Sequence, residues 1–241
     1  MKVLIIGKGR MATLIKTKAE EQGYEVLGLV DVFDQAQGKE LAARADVILD
    51  FSHKDSLPMI ADLMENTHAA LVEGTTGYTD KEMHLLEKLA KEHPVMFSAN
   101  YSLGIAVLKM LCKQAAGPLD GFDVEIVELH HRNKKDAPSG TALALAEAID
   151  PDHARYVYGR TPESDARGSE IGFHSLRGGS AAGDHSVYFL GDQEQVILSH
   201  HADDRSIFVN GAFKAANWLK DQPNGLYEMD DLMSALQKEE H

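Results

Sequence analysis

The chain has 241 residues, with 24 Lys and Arg against 38 Asp and Glu, a formal net charge of −14, and 44% hydrophobic and 26% charged residues. That length supplies one large domain or two modest ones with ample core, and the composition excludes disorder, collagen and coiled coil. The acidity argues against nucleic acid as a partner, which needs a basic face to displace counterions. Cys112 is the single cysteine, which excludes an intramolecular disulfide framework and a cysteine-based zinc site.

Residues 3–6 read as a short apolar strand ended by Gly7, and 11–21 as a helix stopped near Gly23. No small-residue cleavage signal follows this first strand, and no apolar stretch approaches the roughly 18–20 residues that span a bilayer. A cytoplasmic protein without a membrane partner is expected. Further strands are predicted at 26–30, 47–51, 70–72 and 95–98. Between them lie helical stretches around 39–43, at 56–64 with Pro58 tolerated in the first turn, and up to about 92, opened by the capping pattern Thr79-Asp80-Lys81-Glu82. Continuous apolar strands alternating with amphipathic helices predict a parallel sheet covered on both faces, the doubly wound Rossmann-type α/β arrangement.

After about residue 101 the rhythm changes. A helix is predicted at 103–115, where the apolar run 106–112 makes Cys112 a buried core thiol. A strand follows at 124–129, then an Ala- and Leu-rich helix reaching Ile149 and a polar loop at 150–168. Three strands near 171–177, 185–190 and 195–200 complete a second, α+β domain with a mixed or antiparallel sheet. The apolar helix 212–219 is expected to return to the first domain and close its sheet's open edge. The predicted division is therefore 1–101, completed by 212–241, and 102–211.

Gly7-Lys8-Gly9-Arg10-Met11-Ala12 stands between the first strand and the first helix. Its first glycine permits the tight turn, the second lets the backbone approach a pyrophosphate, and Ala12 allows close packing, with the phosphates at the helix N-terminus. Asp31 ends the second strand about 20 residues on, where a carboxylate accepts bonds from both ribose hydroxyls of the adenosine. Val32 follows instead of an Arg for a 2′-phosphate, which favours NADH over NADPH, although Lys8 and Arg10 could serve a phosphate. Three polar segments follow later strands: Phe51-Ser52-His53, Gly74-Thr75-Thr76-Gly77 and Ser98-Ala99-Asn100-Tyr101. All can reach one crevice at the carboxyl ends of the strands.

Residues 128–136 read Glu128-Leu129-His130-His131-Arg132-Asn133-Lys134-Lys135-Asp136, a basic cluster in an otherwise acidic chain. It runs into Ala137-Pro138-Ser139-Gly140-Thr141, a helix start whose amides suit a carboxylate. Cations plus a helix N-terminus fit a small multicarboxylate substrate. Zinc at His130 and His131 is disfavoured because adjacent side chains on a strand point to opposite faces, so no metal is expected.

The segment from Glu128 to Ala142 closely resembles the signature of the dihydrodipicolinate reductase (4-hydroxy-tetrahydrodipicolinate reductase) family. Weaker matches run nearly end to end. They include Asp50-Phe51-Ser52, Gly74 to Gly77, Ala99-Asn100-Tyr101-Ser102-Leu103-Gly104, Ser175-Leu176-Arg177-Gly178-Gly179 and Gly183-Asp184-His185, with His200, Ala202, Arg205, Phe208, Asn210, Gly211 and Ala212. The resemblance implies nicotinamide-dependent reduction of the cyclic dicarboxylate in the diaminopimelate route to lysine. It implies cofactor contacts at Gly7, Lys8, Gly9, Arg10, Met11, Asp31, Gly74, Thr75, Thr76, Ser98, Ala99, Asn100 and Tyr101, with Ser52 a further candidate beside them. It also implies His130 as acid/base group, Lys134 as proton donor, substrate contacts at His131, Lys134, Ser139, Gly140 and Thr141, and a homotetramer. The glycine turn is one residue shorter than in many members, and Tyr101 stands where Phe is common. Two other readings are a related two-domain dehydrogenase for another small acid and a non-catalytic NAD-binding sensor. Neither accounts for the segment beyond residue 128.

Overall fold

The computed structural model describes residues 1–152 and 155–238. The chain divides into two compact units, residues 1–102 with 208 onward, and residues 103–207. The first unit begins with β1 (Lys2–Ile6), α1 (Arg10–Glu21), β2 (Glu25–Val30), α2 (Gln35–Ala42) and β3 (Val47–Asp50). It continues with α3 (Leu57–Met64), β4 (Ala70–Glu73), α4 (Asp80–Ala90) and β5 (Pro94–Phe97). The second unit holds α5 (Leu103–Ala116), β6 (Asp123–His130), α6 (Gly140–Ile149), β7 (Tyr156–Tyr158), β8 (Ile171–Arg177), β9 (Gly183–Leu190) and β10 (Gln195–Ala202). Helix α7 (Ser206–Leu219) leads back to the first unit, followed by β11 (Gly225–Tyr227) and α8 (Met229–Lys238).

The first sheet is parallel throughout, in the order β11-β5-β4-β3-β1-β2. Every residue of β3 and β4 is buried, as strands covered on both faces must be. Helix α1 buries Ala12, Ile15 and Ala19, one stripe at helical spacing. The Thr79 amide donates to the Glu82 carboxylate at 2.8 Å, the expected capping box at the start of α4. The strand order reverses between β1 and β3, and the crevice that such a reversal opens lies at the strands' carboxyl ends.

The second sheet is mixed, in the order β10-β9-β6-β8-β7. Strands β8 and β9 are consecutive in the chain, yet they flank β6, parallel to β8 and antiparallel to β9. One face of this sheet, bearing Ile126, Phe173, Val187 and Phe189, packs with Leu108 and Cys112 of α5 and Ala142 and Leu145 of α6. Burial pushes the Cys112 thiol up to about 12, which makes it the inert core residue expected.

Three expectations differ from the structure. Helix α2 starts at Gln35 rather than near 39, because Gly38 lies inside it. A Cβ there would stand 2.8 Å from Leu63, so this glycine permits close packing instead of ending the helix. The expected helix 56–64 is present as α3, entered through a tight turn at Lys54–Ser56. The polar loop 150–168 contains β7, parallel to β8, where Tyr156 and Tyr158 both pack on Phe173. The open edge of the first sheet is closed by strand β11 paired with β5, not by a helix. Strands of three residues carry no readable period.

Candidate active site

In the first unit, the sheet's carboxyl ends collect the glycine turn after β1, Asp31 after β2, Ser52 after β3, Gly74, Thr75 and Thr76 after β4, and Ser98, Ala99, Asn100 and Tyr101 after β5. Gly7 has φ +99°, and a Cβ there would lie 3.0 Å from the Ser52 Cβ. Only glycine leaves this turn open. Gly9 is the N-cap of α1, and a Cβ there would meet nothing within 4 Å, so the helix N-terminus is sterically open to an anion. Adjacent hollows of about 330 Å³ and 160 Å³ are lined by Met11 and Phe51 together with Ser52, Thr75 and Thr76 in one and Ala99, Asn100 and Tyr101 in the other. This cradle fits a dinucleotide.

Several of these side chains are already committed. Lys8 Nζ lies 2.5 Å from Asp34 and 3.1 Å from Asp31. Asp50, fully buried, accepts from the Ser52 hydroxyl at 2.5 Å, the Ser52 amide at 3.1 Å and the Thr75 hydroxyl at 2.8 Å. Ser52 and Thr75 therefore shape the crevice with their hydroxyls turned inward. Glu73 stands in register beside Asp50 and accepts the Thr75 amide at 2.8 Å. Burial first, and then the Asp50 charge, pushes the Glu73 carboxyl well above its usual range. Tyr101 is 2% exposed and its hydroxyl lies 2.9 Å and 3.0 Å from the carbonyls of Glu73 and Met96, which accounts for a Tyr at this position.

In the second unit the basic segment leaves the end of β6. His130 is buried, and its Nδ1 contacts a carboxylate oxygen of Glu128 two residues earlier on the same face. The other Glu128 oxygen accepts from Arg177 Nη2 at 2.8 Å and from the Ser139 amide at 3.3 Å. Burial pushes the Glu128 carboxyl up, but hydrogen bonds from Arg177, Ser175 and His130 outweigh it and hold the group below the usual carboxylate range. Arg177 Nη2 also donates to the Asp136 carbonyl at 2.6 Å, and Lys134 Nζ bonds the Asp136 carboxylate at 2.8 Å. Ser139 caps α6, its hydroxyl accepting from the Ala142 amide at 3.2 Å and lying 3.1 Å from His185 Nε2. Gly140 and Thr141 then open the helix, whose dipole favours an anion. His131 is half-buried and its carbonyl accepts the Lys134 amide at 3.1 Å.

Sequence reasoning named His130, Lys134 and Ser139 but gave no role to Glu128, Arg177 or His185, and no role to Glu73. A lone acid at the end of an apolar strand is the available signal for Glu73, whereas Glu128 is one of three acids along β6 and carries no such signal. Among the described residues, donor atoms of Glu128, His130 and His185 lie within 4.8 Å of one another, close enough for a cation. The Arg177 guanidinium on that same carboxylate puts a positive charge beside any such ion, so the cluster reads as a hydrogen-bond network.

Family models described as dihydrodipicolinate reductase, N-terminus and C-terminus, match residues 1–101 and 104–233. Two proteins curated as 4-hydroxy-tetrahydrodipicolinate reductase are similar in sequence. One, from Caldanaerobacter subterraneus, is 46% identical over 81% of this chain and 79% of its own. The other, from Sulfurovum sp., is 43% identical over 96% and 98%. The fold is similar to that of a dipicolinate-bound dihydrodipicolinate reductase from Paenisporosarcina sp. TG-14, with TM-score 0.76 and 23% identity over 95% of this chain and 97% of that one.

Proposed function

The chain belongs to the dihydrodipicolinate reductase family, and from that premise we propose which of its residues carry the reaction. It is an oxidoreductase that reduces 4-hydroxy-tetrahydrodipicolinate, in the diaminopimelate route to lysine, with a nicotinamide cofactor. When bound, that cofactor supplies the hydride. The glycine turn and the N-terminus of α1 would hold its pyrophosphate, and Asp31 would accept from the adenosine ribose. The backbone at Gly74 to Thr76 and the segment Ser98 to Tyr101 would line the nicotinamide end.

The substrate carries two carboxylates. The start of α6 at Gly140 and Thr141, capped by Ser139, grips one of them together with His131 and orients the ring. Loss of the C4 hydroxyl as water leaves a conjugated imine, and hydride added at its C4 then leaves an electron-rich enamine that must gain a proton. Lys134 donates it, with His130 as the neighbouring acid/base group. Placement of such groups contributes about 10²–10⁴-fold. The observation that supports this most is the Glu128 hub, which ties His130, the Lys134 loop and the start of α6 to one carboxylate.

The preferred cofactor is NADH. Lys8 is flanked by two carboxylates, Asp31 and Asp34, so the cluster is net negative where a 2′-phosphate would sit. The test supplies freshly made synthase product and follows NADH and NADPH absorbance separately. NADH should show the lower KM, and Asp31→Ala should raise the NADH KM roughly tenfold while leaving NADPH little changed. A wild-type preference for NADPH overturns the cofactor assignment, and consumption of neither overturns the site.

We also propose that the second unit forms the contacts of a homotetramer. The face of its sheet opposite α5 and α6 leaves Leu176 52% and Ile197 44% exposed among polar side chains such as His174 and Ser199, and large exposed apolar side chains on such a face suit pairing between copies.

A further inference from the structure

We infer that Glu128 is a positioning residue for the reaction: anchored by Arg177, its carboxylate fixes His130 with the proton on Nδ1 and joins that histidine to the start of α6. The inference rests on the assignment of His130 as the acid/base group. A carboxylate held below its usual range only accepts hydrogen bonds, so the ring nitrogen that faces it carries the proton. That leaves Nε2 as the atom that exchanges protons. The start of β9 is bare on this side: a Cβ on Gly183 would stand 3.0 Å from His130 Nε2.

The anchoring is mutual. Glu128 is 1% exposed, and both its oxygens are used, one by His130 and the other by Arg177 and the Ser139 amide. Arg177 reaches on to the Asp136 carbonyl and so steadies the loop that carries Lys134. A buried ion pair is weak evidence for stability, since apolar residues of similar volume often serve the fold as well. This pair instead sits where two acid/base groups and the carboxylate-binding helix start converge.

The charged and titratable groups around His130 are Glu128 on its own strand, Lys134 from the loop, Arg177 from β8 and His185 from β9. Burial, Lys134 and Arg177 push its pKa down, and Glu128 alone holds it up, with a net result below the usual value. Replacing that carboxylate by an amide removes the upward influence and leaves the others.

The test uses the full-length protein with ¹⁵N-labelled histidine, His130 being assigned by its loss in His130→Gln. Wild type should show His130 as the Nδ1–H tautomer at neutral pH. In Glu128→Gln, His130 should titrate at lower pH, turnover should fall roughly 10²-fold, and the matching limb of the pH–rate profile should move down with it. Glu128→Asp should recover part of both. An Nε2–H tautomer in wild type, or a titration unmoved by Glu128→Gln, overturns the positioning role. A titration that moves while the rate limb stays put removes His130 from the chemistry, and the positioning role falls with it. If Glu128→Gln does not fold, the wild-type tautomer and the Glu128→Asp titration decide by the same criteria.

Discussion

His185 is 3% exposed on β9, its ring edge-on to His130 at 5.1 Å between centroids. Burial, and then the neighbouring His130, pushes its pKa down to about 4. In the unfolded chain the same group titrates near 6.5. Between those values the unfolded state binds a proton that the folded state refuses, so this contribution to stability is lost as pH falls from about 6.5 to about 4. Full protonation would cost about 3 kcal/mol. Denaturant unfolding at pH 7 and pH 4.5 should therefore show a smaller loss for His185→Gln than for wild type, and equal losses would contradict the buried neutral imidazole. His130 and Lys134 were legible because they share one short segment. His185 was not, because its contact with Ser139 spans 46 residues and depends on β9 lying beside β6.

Among the elements, those with a continuous apolar run or a cap were readable from the chain: β1, β3, β4, α4 and α6 differ little from their predicted spans. Elements that depend on a distant partner were not. Strands β7 and β11 are three residues each and exist because β8 and β5 offer them an edge. Helix α7 carries a similar dependence at Gly211, where a Cβ would stand 1.6 Å from the Tyr101 carbonyl oxygen. Alanine is favoured over glycine in a helix by about 1 kcal/mol, but overpacking against a backbone costs typically about 1–3 kcal/mol or more. The second effect wins. Gly211→Ala should lower the Tm in thermal unfolding, and an unchanged or raised Tm would show that α7 can draw back from Tyr101 without cost.

For the whole molecule, three consecutive strand-like segments predicted a sheet, but not that, among the described residues of the second unit, α5 and α6 pack on one face only. The opposite face is the basis for the proposed assembly. Wild type should sediment well above the 26.4 kDa of one chain, and Leu176→Asp should shift it toward lighter species. A monomeric wild type would contradict the assembly. The order of β8, β6 and β9 was equally hidden, because consecutive strands separated by a short turn ordinarily pair and here a third strand lies between them.

Dinucleotide binding by the first unit and proton delivery by the segment after β6 are the two proposed roles, and one variant separates them. In Lys134→Ala, NADH affinity measured by fluorescence titration should match wild type while turnover of freshly made substrate falls by roughly 10²-fold or more. Wild-type turnover in that variant, or a loss of NADH binding equal to the loss of turnover, would contradict the division of labour.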